Sequence, residues 1–401
     1  MDFTEFYRSA LEPELLLLNR KRKLILPASI LSRAMFASFF IFIWAIFTTI
    51  AIRLKQSDAT DLFVPVFRIF LAFLLTGIFT IISVFSAKEL VKRYPSELAS
   101  KGRQVLLGFG IFSLISGIDL LSSFIISSNV TNFNDLDIGK MIGLFFVLGI
   151  GGGILLYNLI KIENKFKIEF KKRIIAKIVV VNFPGSTYQP ERGIPEVYFL
   201  ESKLFPTYGY STYKGSDFLN IVTEGVEMEI SYLDISRQPI SNRTGTNGFN
   251  NNSRTIFDGL FFRMVNNKEN QGITWVYHHS IGIKVIGKIV STFNNVFGIS
   301  GSNLVKTGDP DFDKKFLVYT NNPDPGFFSL ESGKIKSIKD VFENSKSGFS
   351  LSFVDRFVFL ALRRPLNVFD PPIFRSLMGI EKMQKYVTAL KEIYGYHVLA
   401  D

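Results

Sequence analysis

Cysteine is missing from this chain, and histidine is scarce, with three residues among 401. Without thiols the chain can form no disulfide, use no thiolate nucleophile and build no Cys-type zinc or iron–sulfur centre. Three histidines also leave little for a His-rich metal site. We therefore predict no metal and no cofactor.

The common catalytic motifs are missing as well. The chain contains no G-x-S-x-G, H-E-x-x-H or G-x-G-x-x-G sequence. "SGSNLVKT" ends like a phosphate-binding loop, but Ser300 and Val305 stand where glycine is needed. Asp309 begins a calcium-like Asp-x-Asp-x-Asp spacing, but Lys314 replaces the required glycine. We predict that the protein is not an enzyme and assign no catalytic residues.

Apolar residues are abundant in the first half of the sequence. The hydrophobic content is 47%, with 42 Phe, and the mean hydropathy is +0.23. Segments long enough to cross a bilayer, which takes about 20 helical residues, lie near Ala34–Ile52, Leu62–Ala87, Val105–Ile126 and Ile138–Ile160. The sequence predicts four transmembrane helices over residues 34–160, and the bias of Lys and Arg places both termini in the cytoplasm.

Two charges fall inside these predicted spans. Arg68 and Asp119 would lie at matching depth on neighbouring helices, which predicts an intramembrane ion pair. That pair could serve as a proton or ion site or as a polar clamp between helices. Gly149 and Gly153 have the spacing that lets helices pack closely, although a weak or hinged helix explains them equally well.

The net charge of +11 is concentrated beside the predicted spans. Residues 1–33 form a basic, amphipathic N-terminal segment, and residues 161–183 form a basic juxtamembrane helix. Cations beside a membrane typically contact anionic lipid headgroups, and no aromatic–basic pattern favours nucleic acid. The predicted lipid-contacting residues are Lys161, Lys165, Lys167, Lys171, Lys172 and Arg173.

Residues 184–401 have the pattern of a cytoplasmic α+β domain. Period-two segments predict strands near 224–235, 255–265, 272–279, 314–320 and 348–362, and the last of these is a hairpin turning at Asp355-Arg356. Hairpin spacing favours a mainly antiparallel sheet or partial barrel. Asp309 and Asp370, each followed by proline, predict helix starts, and "IEKMQKYVTALKEIYG" predicts the final helix.

An ordered set of short motifs runs along the second half of the chain: "YQPERGI", "SKLF", "YKGSD", "FDGLFF", "DPDFDKKFLVYTNN", "LSFVDRFVFLAL" and "FDPPIFRS". This set resembles a bacterial membrane-protein family known as the domain of unknown function number thirty-one thirty-seven. The resemblance implies a membrane anchor in the bacterial inner membrane with a cytoplasmic α+β domain. It also implies an envelope-associated protein partner, because members are often encoded near LemA-type membrane proteins.

Together these features predict a multi-pass membrane protein. It would present a cytoplasmic binding or scaffolding domain to a protein partner or an anionic lipid surface. One alternative is a transporter or channel-like accessory that uses the membrane half. A second alternative is a hydrolase in which Asp258, Asp355 and Arg356 meet in a cleft.

Overall fold

The computed structural model describes residues 2–26, 29, 157–205, 211–223, 225–237, 254–266, 269–270, 272–278, 303–321, 330, 332–345, 348–363 and 368–400. The chain divides into two units. The first comprises residues 1–14, 168–371 and 378–401, and the second comprises residues 15–167 and 372–377.

Six helices occur in the described residues. Helix α1 runs through Phe3–Phe6, a π-helical turn at Tyr7–Leu11 and residues 12–26. Helix α2 covers residues 157–170, a second π-helical turn at Lys171–Ile175, and Ala176–Asn182. The others are α3 (Glu196–Glu201), α4 (Pro310–Lys315), α5 (Ser332–Ser345) and α6 (Ile380–Gly395), which is followed by a 3₁₀ turn at Tyr396–Leu399.

A nine-stranded antiparallel sheet dominates the first unit. Its strands are β1 (Thr187–Gln189), β2 (Thr212–Thr223), β3 (Val226–Arg237), β4 (Arg254–Val265), β5 (Ile273–His278), β6 (Asn303–Val305), β7 (Phe316–Thr320), β8 (Phe349–Val354) and β9 (Phe357–Arg363). They are ordered β1-β2-β3-β4-β9-β8-β5-β7-β6, and every pair is antiparallel.

Both faces of this sheet are covered, which explains its apolar sequence. On one face Phe199 of α3 packs against Phe261 of β4, and Phe205, which follows α3, packs against Phe257 of the same strand. On the other face Phe262 meets the ring of Tyr396 at 5.4 Å, beyond the end of α6. Successive strand residues point to opposite faces, so neighbouring phenylalanines of "FDGLFF" serve different halves of the core.

The predicted fold class is corrected by these observations. No helix in the described part of the chain is long and apolar enough to cross a bilayer. The four predicted spans lie outside the described residues except for 157–160, which belong to α2. That helix carries a charge at every second position from Lys161 to Lys167, and each charge at a bilayer centre costs about 3 kcal/mol.

The described part of the chain is instead a large antiparallel sheet with few helices. The multi-pass description and the placement in the bacterial inner membrane with cytoplasmic termini are therefore corrected with the fold class, since both followed from the predicted spans.

Individual elements predicted in the second half are present. The β8–β9 hairpin turns at Asp355-Arg356, where Asp355 has a φ of 50°. Asp309 caps α4, and its carboxylate accepts hydrogen bonds from the backbone N–H groups of Asp311 (3.0 Å) and Phe312 (2.9 Å). The final helix spans Ile380–Gly395, as its apolar periodicity predicts.

The predicted helix start at Asp370 is wrong. Residues 370–379 contain no helix, and α6 begins only after Gly379. Instead of capping a helix, Asp370 forms an ion pair with Lys171.

Candidate functional site

A buried lysine lies at the π-helical turn of α2. Lys171 is 6% exposed and lies between the fully buried residues Phe170 and Ile174 of the same helix. A π-helical turn widens an α-helix locally and is frequent at functional sites. A lysine is rarely buried unless its charge is compensated, so the partners of Lys171 define the site.

Two aspartates from distant parts of the chain compensate Lys171. Its Nζ atom donates to Oδ2 of Asp217 at 2.8 Å and to Oδ1 of Asp370 at 2.7 Å. Asp217 is 2% exposed, whereas the side chain of Asp370 is 32% exposed. The geometry is that of strong, charge-assisted hydrogen bonds.

The backbone of β2 is distorted where it presents Asp217. The β2–β3 register shifts between Ser216 and Leu219, and Asp217 has a φ of 57°. This left-handed conformation is uncommon for residues other than glycine, although aspartate tolerates it better than most. A β-bulge commonly redirects a side chain, and here it accompanies the side chain that meets Lys171.

Two tyrosines complete the network, which we call the Lys171 cluster (Lys171, Tyr188, Asp217, Asp370 and Tyr386). The Tyr188 hydroxyl donates to Oδ1 of Asp217, and the Tyr386 hydroxyl donates to the carbonyl of Asp370 at 3.2 Å. Burial and then the charge of Asp217 raise the pKa of Tyr188, and burial raises the pKa of Tyr386. Both phenols therefore stay protonated and act as donors at neutral pH.

The loop that follows β1, the strand of Tyr188, is held against β2 by two glycines. A Cβ atom built on Gly193 would lie 2.4 Å from the Cα atom of Gly215, so the two backbones touch. The Tyr213 hydroxyl donates to the carbonyl of Ile194 at 2.8 Å, and the backbone N–H of Phe218 donates to the carbonyl of Arg192 at 3.0 Å. Only glycine permits this approach.

Three of the motifs noted in the sequence therefore converge on one lysine. "YQPERGI" supplies Tyr188, "YKGSD" supplies Asp217 and "FDPPIFRS" supplies Asp370. Because the ionised groups bond to one another, the arrangement is suited to holding α2, β2 and the segment before α6 together.

The predicted lipid-contacting residues separate into three groups. Lys161 and Lys165 are exposed and Lys167 is half-buried. Lys171 is buried and cannot face a lipid surface, which corrects its predicted role. Lys172 pairs with Glu191, and Arg173 pairs with Glu14 at 3.0 Å and Glu169 at 3.1 Å.

The described residues of the second unit are strongly basic. Ranges 15–26, 29, 157–167 and 372–377 contain eight Lys or Arg residues and one acidic residue, Glu163. Glu163 is 5% exposed and accepts a hydrogen bond from Ser29. The exposed cations, called here the basic surface residues, are Arg20, Lys23, Lys161, Lys165 and Arg375.

The structure does not bring the proposed hydrolase residues together. Asp355 and Arg356 form the β8–β9 turn beside Val265, whereas Asp258 lies seven positions before Val265 in β4 and accepts a hydrogen bond from Tyr232. Seven strand residues separate Asp258 from that turn, or about 23 Å at 3.3 Å per residue. These groups cannot act on one bond.

Other predicted sites cannot be compared with the structure. Arg68, Asp119, Gly149 and Gly153 lie outside the described residues. Within the ranges the structure describes, no three His, Cys, Asp or Glu residues are grouped so as to hold a metal ion.

Sequence reasoning did not assign a role to Tyr188, Asp217 or Asp370 as a group. The signal was present in the motifs, each of which combines a polar residue with glycine or proline. The sequence could not show that both aspartates pair with Lys171, because Lys171 resembles its neighbours in a basic run.

The fold and the Lys171 cluster define an antiparallel-sheet protein in which a buried charge network joins α2 to the edge of the sheet formed by β1 and β2. Residues 255–396 match the sequence model of the family described as Protein of unknown function (DUF3137). This match confirms the predicted resemblance over that segment, which includes Asp370, and it says nothing of membrane location or bacterial origin. Searches of curated proteins and of solved structures gave no match.

Proposed function

We propose that the protein is a non-catalytic binding module that attaches to an anionic phospholipid surface through the basic surface residues. The observation that carries this proposal is the charge of the second unit. Its described residues include eight cations and one buried carboxylate. Each cation near an anionic lipid surface contributes about 1 kcal/mol to binding.

Exposed apolar side chains accompany these cations in the same unit. Leu16 is 48% exposed, Leu17 52%, Tyr157 69% and Ile160 43%. Interfacial helices of lipid-binding proteins combine cations with such residues, which enter the boundary between headgroups and acyl chains. A purely polyanionic partner would gain little from the apolar members.

The cations of the first unit on α2 provide a natural contrast. Lys172, Arg173 and Lys177 are offset by Glu191 and Glu14. These ion pairs partly neutralise the charge of the three cations. Their electrostatic attraction to an anionic lipid surface is therefore weaker. The proposal therefore assigns lipid contact to Lys161 and Lys165 rather than to the whole predicted run.

Flotation of the purified full-length chain tests the proposal. Vesicles of phosphatidylcholine alone are compared with vesicles that also contain phosphatidylglycerol, at low and high salt. We expect flotation only with the anionic vesicles, and we expect added salt to abolish most of it. A chain that stays unbound, or that floats equally on neutral vesicles, overturns the proposal.

Two double variants of equal charge change sharpen this test. Lys161→Gln/Lys165→Gln should weaken partitioning about thirty-fold, if each cation contributes about 1 kcal/mol. Lys172→Gln/Arg173→Gln should weaken it much less, because both cations are paired within the protein. Equal losses from the two variants would indicate that net charge alone, and not these positions, determines binding.

A further inference from the structure

We infer that the exposed tip Phe374–Ser376 inserts into the interface of the anionic lipid surface, with Phe374 as its apolar anchor. This inference rests on the proposed function and names the residue that enters the lipid. The tip belongs to the motif "FDPPIFRS", in the second unit, where the sequence predicted a helix instead.

Buried residues on both sides force the tip outward. Ile373 is 7% exposed and Leu377 is fully buried. Between them Phe374, Arg375 and Ser376 are exposed, and Phe374 is 52% exposed. Two buried anchors with three exposed residues between them make a short projection from the surface.

A buried arginine fixes the base of this projection. Arg22, which is 5% exposed, donates from Nη1 to the carbonyl of Ile373 at 3.0 Å. Its Nε atom donates to Oδ1 of Asn19 at 2.9 Å, so the guanidinium is held at two points. Pro372, which directly precedes Ile373, restricts the backbone where the tip begins. A tip held in this way loses little conformational freedom on binding.

The chemistry of the tip matches a phospholipid interface. Phe374 supplies an aromatic ring and Arg375 supplies a cation that is planar and suited to phosphate. Single exposed apolar residues are common on proteins, so Phe374 alone would mean little. The adjacent Arg375 and the cationic composition of the unit select an anionic lipid as the occupant.

The missing cysteines make the test direct. Phe374→Cys creates the only thiol in the chain, and it can be labelled with the environment-sensitive fluorophore NBD. The matched control is Val197→Cys in the first unit, because Val197 is also 52% exposed. With phosphatidylglycerol-containing vesicles we expect a blue shift and a rise in emission at position 374, and no change at position 197.

A second variant tests the tip without a label. Phe374→Ser should weaken partitioning to anionic vesicles about tenfold, since it removes the apolar contribution and keeps all the cations. Val197→Ser should leave partitioning unchanged.

The outcomes separate the two proposals. Normal flotation with no spectral change at position 374, and no loss in Phe374→Ser, overturns the inference and leaves lipid binding by the cations intact. Failure of the unmodified chain to float overturns lipid binding itself, and the inference with it.

Discussion

Replacing Lys171 by methionine tests the central structural claim, that a buried charge network braces this fold. The substitution keeps the length of the side chain but removes a cation that compensates the carboxyl group of Asp217, which is 2% exposed. Breaking one side of a buried ion pair costs about 3–5 kcal/mol. Tyr188 and Ser216 still donate to Asp217, so we expect a loss near the lower limit, about 3 kcal/mol.

Urea unfolding followed by tryptophan fluorescence measures this loss. Trp275 is 1% exposed, and its indole N–H donates to the carbonyl of Lys203 at 3.0 Å, so its emission reports the core. A Trp44→Phe background leaves it as the single tryptophan, since the chain has two. Lys172→Met is the matched control, because Lys172 and its partner Glu191 are 55% and 56% exposed. That control should change the free energy of unfolding by about 0.5 kcal/mol or less.

The double variant Lys171→Met/Asp217→Asn separates electrostatics from packing. Removing the second charge should restore part of the lost stability, because the amide oxygen of asparagine can accept from the Tyr188 hydroxyl while its NH₂ group donates to the Ser216 hydroxyl oxygen. The reasoning is refuted if Lys171→Met stays within about 1 kcal/mol of the parent. It is refuted as well if the double variant is less stable than the single one.

Three further variants can be measured by the same unfolding assay. Gly193→Ala should destabilise the protein by about 2 kcal/mol, since its new Cβ atom would lie 2.4 Å from Gly215, whereas Gly333→Ala, with no atom within 4 Å, should not. Stability should fall above pH 10, where unfolded tyrosines ionise and buried ones with raised pKa values do not. Tyr188→Phe should reduce that slope by about 1.4 kcal/mol per pH unit; an unchanged slope would contradict its raised pKa. Arg263→Lys should lower the free energy of unfolding by about 1–2 kcal/mol, because the guanidinium lies 4.0 Å and 3.8 Å from two aromatic ring centroids. An unchanged free energy of unfolding would show that a positive charge without the planar guanidinium stabilises this position equally well.

The basic run of α2 shows why charge patterns in a sequence need the fold for their interpretation. From the sequence, six cations are predicted to form one lipid-contacting stripe. In the structure they lie in three different environments. Lys161 is exposed, Lys171 is buried against two aspartates, and Arg173 pairs with Glu14 and Glu169. The distinction depends mainly on Glu14, Asp217 and Asp370, which are far from α2 in the sequence.

Local patterns determined several elements correctly. The hairpin at Asp355-Arg356, the cap at Asp309 and the limits of α6 follow from turn chemistry, capping and apolar periodicity. Each of these signals acts over a few residues, so neighbours along the chain suffice to define it. Strands β3, β4, β5 and β7 were found on the same basis.

Strand β2 and helix α5 were missed by the same reasoning. β2 contains Gly215 and the irregularity at Asp217, which interrupt its alternation. Apolar content over residues 34–160 predicted membrane spans and with them a fold class that the described part of the chain, where no helix could cross a bilayer, does not support.

By itself, then, the sequence determined the absence of thiol chemistry, the antiparallel strands and the local caps and turns. The tertiary structure decided the role of Asp370, whose local pattern predicts a helix cap with a contribution of about 1 kcal/mol. Its carboxylate instead lies 2.7 Å from the buried ammonium of Lys171. A charge-assisted bond to this buried cation outweighs a cap. The position of the cation is set only when the whole chain has folded.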